Sequence, residues 1–321
     1  MTEKNPAASA KPDVLVVAKL WPPMLELLQG AYTVHDRTHQ SDPAAFAAAA
    51  PRIRAIAASG ESKVTRELIA QLPALEIVSV YGVGYDGVDV AAARERGVPV
   101  THTPKVLNDD VADLAIGLML AVARRIPQAD RYVRDGRWPG GPAALGRKVS
   151  GTRLGIVGLG RIGNAIAARA AAFGMSIAYT ARSAKAESPY RFFASAEALA
   201  AEVDFLVVIT PGGAATRKLI DAKVLAALGP DGYLINVARG SVVDETALIQ
   251  ALEQRTIAGA GLDVFEDEPN VPAVLCSLDN VVLTPHIGSG TWQTRSAMTD
   301  LAFGNLQAHF TGSKLLSPVP E

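Results

Sequence analysis

Short apolar runs alternate with alanine-rich amphipathic stretches along almost the whole chain. VLVVA (14–18), RAIAAS (54–59) and EIVSV (76–80) are largely apolar at successive positions, the pattern of strands buried on both faces of a sheet. Between and beside them, PMLELLQ, PAAFAAAA and TRELIAQL read as helices. A second series opens at RLGIVG (153–158). It continues with SIAYT (176–180), FLVVIT (205–210), YLINVA (233–238), AGLDV (260–264) and VVLTP (281–285). Repeated β-α-β of this kind predicts parallel sheets covered by helices, an α/β fold. The segment 108–137 between the series is predicted to be mostly helical. Its apolar run LAIGLMLAVA (114–123) lies between Asp113 and Arg124, is too short to span a bilayer, and reads as a buried helix.

Two series predict two domains. The stretch TWQTRSAMTDLAFGNLQAHF, after His286, has helical periodicity and no strand partner of its own, so it is expected to return to the first domain. The expected division is 1–103 with 288–321 against 104–287. Crossings near Thr103 and Gly288 would form a hinge beside a ligand cleft.

Bulk properties narrow the function. A chain of 321 residues, 49% hydrophobic, exceeds one modest core. A formal net charge of −1 gives no field favouring nucleic acid or a membrane surface. The first residues, MTEKNPAASAKPD, lack an apolar signal region and read as a loose tail. Cys276 is the only cysteine, so no internal disulfide can form and a reducing, cytoplasmic compartment is expected. Cys276 itself reads as a small apolar residue. His35 and His39, in HDRTHQ, read as residues of a solvated loop. His102 and His309 read as surface or packing residues, and Trp138 and Trp292 as core or interface. No metal site is expected.

The sharpest local signal is GLGRIG, from Gly158 to Gly163, placed between a strand and the helix IGNAIAARAAAF. Gly158 suits the tight turn, Gly160 the approach of a pyrophosphate, and Gly163 close helix packing. The helix N-terminus offers unpaired N–H groups to that anion. About twenty residues on, the second strand ends at Tyr179-Thr180, where a ribose-binding acid would ordinarily stand. Here the chain has Ala181, then Arg182, Ser183 and Lys185. Without the carboxylate nothing repels a 2′-phosphate, and Arg182 with Ser183 can donate to one. The predicted cofactor is therefore NADP(H). Arg239 in NVARGSVVDE, Asp263 and Glu268 in GLDVFEDEP, and His286 in TPHIGSG all fall at or just past strand ends, where open α/β sheets bind ligands.

GLGRIG, INVARGSVVDE, AGLDVFEDEP and LTPHIGSGT, in this order, resemble the D-isomer-specific 2-hydroxyacid dehydrogenases, and the resemblance runs through nearly the whole chain. It is strongest toward glyoxylate/hydroxypyruvate and hydroxyphenylpyruvate reductases. The resemblance implies a Rossmann-type cofactor domain and a flavodoxin-like substrate domain. It implies that His286 protonates the ketone oxygen, that Glu268 holds His286 in its charged form, and that Arg239 binds the oxo acid. It gives Asp263 the nicotinamide carboxamide, and adds Leu159, Arg161, Ile162, Thr210, Val237 and Ala238 to the cofactor contacts. Val83 and Gly84, in VYGVG, would meet the substrate carboxylate. Beside them, SGES (59–62) and Tyr81 would form a small, polar wall with one aromatic, suited to small 2-oxo acids. The stretch NDDVADLAIGLMLAVARRIPQADRYVRDGRW resembles a dimerisation arm and implies a homodimer. Hydroxyphenylpyruvate as substrate, and a non-enzymatic, cofactor-sensing corepressor, are the alternatives. The retention of Arg239, Glu268 and His286 argues for turnover.

Overall fold

The computed structural model describes residues 11–60 and 62–320. Most of the N-terminal stretch expected to be loose, residues 1–10, lies outside them, as does Glu61. Lys11 is already tied down, its Nζ donating to the Gly30 carbonyl at 2.6 Å, and Asp13 begins the first strand.

The chain divides into two compact units, Met1–Val106 with Trp292–Glu321, and Leu107–Thr291. The crossings lie slightly beyond Thr103 and Gly288. The Val106 carbonyl accepts from Thr294 Oγ1 at 3.4 Å, which keeps 104–106 with the first unit. Gly288 N donates to Asp263 at 2.8 Å, and Thr291 Oγ1 to Asp110 at 2.5 Å, which keeps 288–291 with the second.

The first unit holds five parallel strands: β1 Asp13–Val16, β2 Thr33–Asp36, β3 Ile53–Ser59, β4 Ile77–Tyr81 and β5 Val100–Thr101, in the order β2-β1-β3-β4-β5. This is the flavodoxin-like order. The runs read as strands became the central ones, where Leu15, Ile56 and Val78 are fully buried. Each such side chain contributes about 1.5–3 kcal/mol. TVHD forms the edge strand β2 although it has no apolar run. His35 Nε2 meets Asp13 Oδ1 at 2.7 Å, and His39 lies in a short helix with its ring edge against Phe46. HDRTHQ is therefore not a solvated loop. The C-terminal helix Trp292–Phe310 packs within this unit, its Ala302 carbonyl accepting from Ser79 Oγ at 3.0 Å on β4. His309 Nε2 meets Glu76 at 3.0 Å.

The second unit holds seven parallel strands: β6 Arg153–Val157, β7 Ser176–Thr180, β8 Arg191–Phe193, β9 Phe205–Val208, β10 Tyr233–Asn236, β11 Gly259–Leu262 and β12 Val281–Leu283. Their order is β12-β11-β10-β9-β6-β7-β8. The order in which strands are added reverses between β6 and β9, the switch point at which such folds bind ligands. The helix Asn108–Ala123 is core, burying Val111, Ala115, Leu118, Met119 and Val122. Apolar surface in this region belongs to the segment that follows it, where Ile126, Val133, Trp138 and Leu145 are all more than half exposed. Trp138 is thus not a core residue. Trp292 is also exposed, tilted against Trp21 with ring centroids 5.8 Å apart. Cys276 is exposed too, on the short helix Ala273–Ser277, which buries only Leu275.

Candidate functional site

The glycine turn follows β6. Gly158 has φ +107°, open to glycine at little cost, and a Cβ there would come within 2.9 Å of Thr210 N. At Gly163 a Cβ would stand 2.3 Å from the Gly158 carbonyl oxygen, so only glycine lets the helix Arg161–Ala172 start this close to the turn. Above Gly160 a Cβ would meet nothing within 4 Å, and no side chain caps the helix N-terminus. An open approach to uncapped N–H groups on a twelve-residue helix fits a dinucleotide pyrophosphate. Leu159 is 1% exposed, so only its backbone faces this approach. Arg161 is exposed and Ile162 and Thr210 are half-buried. Val237 and Ala238 are buried, Val237 N donating to the Val208 carbonyl and Ala238 N to Asn236 Oδ1.

The loop after β7 carries no acid. Ala181 is followed by exposed Arg182, Ser183 and Lys185. The loop is anchored where Lys185 N donates to Tyr179 Oη at 2.7 Å, on a ring that is 1% exposed. Among the described residues none forms an ion pair with Arg182. These groups fit a 2′-phosphate: donors are presented, no carboxylate opposes them, and the loop is already held.

Three neighbouring strands, β10, β11 and β12, end in register, with Asn236 beside Leu262 and Leu262 beside Leu283. Past those ends stand Arg239, Asp263 and His286. Gly240 lets the backbone after Arg239 press on the next loop, since a Cβ there would lie 1.9 Å from the Phe265 carbonyl carbon. Arg239 Nη1 donates to the Ala238 carbonyl at 2.7 Å. His286 Nδ1 and Glu268 Oε2 are 2.8 Å apart, and Glu268 Oε1 accepts from Phe265 N at 2.8 Å. The imidazole and its carboxylate are therefore paired and fixed.

Asp263 is 1% exposed. Its Oδ1 accepts from Thr284 Oγ1 at 2.7 Å and Ile287 N at 2.8 Å, and its Oδ2 from Gly288 N at 2.8 Å. Burial pushes its pKa above the ordinary carboxylate value, against the pull of these donors. The carboxylate thus clasps the loop that carries His286, whose backbone is in the left-handed region at φ +52°. The clasp, and Thr284 within it, were not foreseen from the sequence. The only trace of them is a threonine two residues before the histidine.

In the first unit, Val83 and Gly84 lie on the turn after β4 and are half-buried. Tyr81 is not an open wall residue. It is 5% exposed, its hydroxyl donates to the Arg295 carbonyl at 3.0 Å, and the Arg295 guanidinium lies 5.9 Å from its ring centroid. No helix among the described residues is long and apolar enough to cross a membrane.

Known proteins resemble this chain along most of its length. Residues 116–288 match the D-isomer specific 2-hydroxyacid dehydrogenase, NAD binding domain. The chain is 53% identical over 270 residues to a hydroxyphenylpyruvate reductase of Plectranthus scutellarioides, covering 84% of this chain and 86% of that one. It is 51% identical over 267 residues to a glyoxylate/hydroxypyruvate reductase A of Arabidopsis thaliana, covering 83% and 85%. Among solved structures, the NADPH-dependent glyoxylate/hydroxypyruvate reductase of Sinorhizobium meliloti, in complex with NADP and malonate, superposes with a TM-score of 0.91 at 47% identity, covering 97% of each chain. With its glycine turn, its paired His286 and Glu268 and this breadth of similarity, the chain belongs to the D-isomer-specific 2-hydroxyacid dehydrogenase family.

Proposed function

We propose that this protein is an NADPH-dependent reductase that converts small 2-oxo acids, glyoxylate and hydroxypyruvate first, to D-2-hydroxy acids. The observation that carries the reading is the His286–Glu268 pair at 2.8 Å, set past a strand end in the unit that holds the glycine turn. Bound NADPH supplies a hydride to the carbonyl carbon. His286 gives a proton to the carbonyl oxygen, and Glu268 stabilises the imidazolium before that proton leaves. Arg239 binds the oxo acid through its carboxylate and carbonyl oxygens and draws electron density toward the oxygen. Val83 and Gly84 offer backbone N–H groups to the carboxylate. Asp263, with three donors already on it, has one acceptor position left for the nicotinamide carboxamide. Gly158 to Gly163 with Thr210, Val237 and Ala238 line the cofactor, and Arg182, Ser183 and Lys185 take the 2′-phosphate.

The names of the relatives support this reading, as does the malonate in the Sinorhizobium meliloti enzyme, a small dicarboxylate. The 53% identity to a hydroxyphenylpyruvate reductase favours a second substrate reading. A panel of kcat/KM values separates the two: glyoxylate or hydroxypyruvate should rank first, and a higher value for hydroxyphenylpyruvate reverses the order. A chain that binds NADPH but turns over none of them is a sensor rather than an enzyme. The exposed apolar residues Ile126, Val133, Trp138 and Leu145 support a homodimer built through this segment, and the single cysteine supports a cytoplasmic location.

A further inference from the structure

In the turn Gly82-Val83-Gly84-Tyr85, the carbonyls of Gly82, Val83 and Tyr85 all accept hydrogen bonds. The N–H groups of Val83 and Gly84 donate to no acceptor among the described residues. The Val83 carbonyl, by contrast, lies 2.9 Å from His102 Nδ1. A carbonyl oxygen only accepts, so Nδ1 carries the proton. In a trans peptide C=O and N–H point opposite ways, so pinning the Val83 oxygen also aims the Gly84 N–H. A hydrogen bond to the carbonyl further polarises that N–H for donation.

His102 is firmly mounted. It is 8% exposed and meets Tyr85 edge-on, with ring centroids 5.3 Å apart. Its N donates to the Ser317 carbonyl at 3.1 Å, and its carbonyl accepts from Ser317 Oγ at 2.6 Å. Ser317 is held in turn by fully buried Asn305, whose Nδ2 donates to Ser317 Oγ at 2.8 Å and whose Oδ1 accepts from Leu316 N and Ser317 N. The next residue, Thr103, donates from its N to the Gly82 carbonyl at 2.8 Å, on the same turn. A line of buried hydrogen bonds thus runs from the C-terminal segment through His102 to the Val83–Gly84 peptide.

We propose that His102 is a positioning residue for substrate recognition: its Nδ1–H orients the Val83–Gly84 peptide so that the Gly84 N–H meets the carboxylate of the 2-oxo acid. This rests on the assignment of that turn under Proposed function.

The test compares His102→Phe, which fills the ring volume without a donor, with His102→Asn, which can still donate. The net worth of a neutral hydrogen bond corresponds to about a three- to tenfold effect. His102→Phe should raise KM for glyoxylate by about that factor, with kcat and NADPH affinity nearly unchanged. His102→Asn should restore most of the loss. An unchanged KM in His102→Phe overturns the proposal. So does a loss of NADPH affinity in parallel with KM, since a merely structural role would produce it. If His102→Phe does not fold, His102→Leu reads the same contrast. Gly84→Pro removes the N–H itself and tests the turn independently. An unchanged KM there overturns the assignment of the turn, whereas a raised KM beside an unaffected His102→Phe overturns only the role of His102.

Discussion

Replacing Arg182 with Ala should cost NADPH about tenfold in affinity and NADH almost nothing. The loop after β7 is anchored by the Lys185 N bond to buried Tyr179, so Arg182 is presented without much further ordering cost. No described residue forms an ion pair with it, so its donors remain available to a phosphate. A charge-assisted hydrogen bond is worth ~1.5–3 kcal/mol, a factor of about ten to a hundred. Arg182 is exposed, and solvent screening places the effect at the lower end. The assay is titration of each cofactor by quenching of protein fluorescence or by calorimetry, on wild type and variant. The Debye length shrinks from about 10 Å at 0.1 M salt to about 3 Å at 1 M, so the wild-type preference should also narrow with salt. Equal losses for NADPH and NADH, or none for either, would refute the 2′-phosphate assignment.

Three further outcomes follow from other parts of the molecule. Glu268→Gln keeps a hydrogen-bonding shape 2.8 Å from His286 but removes the charge. The alkaline limb of reduction should therefore move to lower pH, because the imidazolium loses its counter-charge. A limb that stays in place in the kcat/KM profile removes Glu268 from that role. Asp204 accepts from Arg153 N, Nε and Nη2 and from Arg147 Nη2, and the hydrogen bonds from Arg153 hold its pKa below the ordinary 3.8. A lowered folded value means that this stabilisation is present above pH 3.8 and is lost as pH falls through the folded pKa. Asp204→Asn should melt about 3–6 °C lower at pH 7, from the charged hydrogen bonds lost, with the gap narrowing as the pH is taken below 3.8 toward the lowered folded value; a gap that widens as the pH falls contradicts this. Light scattering at micromolar concentration should give about twice the 33.6 kDa of one chain, and a mass near 33.6 kDa excludes the homodimer.

What the sequence disclosed depended on where in a sheet a residue sits. Central strands such as Phe205–Val208 are buried on both faces and show it as unbroken apolar runs. Of the edge strands, Val281–Leu283 read as an apolar run and the other three did not. Thr33–Asp36 is polar because one side faces solvent, Arg191–Phe193 has only three residues, and Val100–Thr101 only two. Of the two readings that residue type offers for Trp138 and Trp292, core and interface, their exposure removes the first. At the candidate site, Arg239, Glu268 and His286 were legible because strand ends and local motifs mark them. The groups that hold them were not. Asp263 clasps Thr284, Ile287 and Gly288 more than twenty positions away, and Asn305 and Ser317 brace His102 from the far end of the chain. Such partners are set by sheet register and chain return, and leave no local spacing to read.

The most direct measurement is the product formed from hydroxypyruvate and NADPH. One NADPH should be consumed for each D-glycerate formed, and His286→Ala should lose about 10²–10⁴-fold in kcat with the fold intact. L-glycerate as product, consumption of NADPH unaffected by His286→Ala, or no turnover of any 2-oxo acid by wild type would contradict the account.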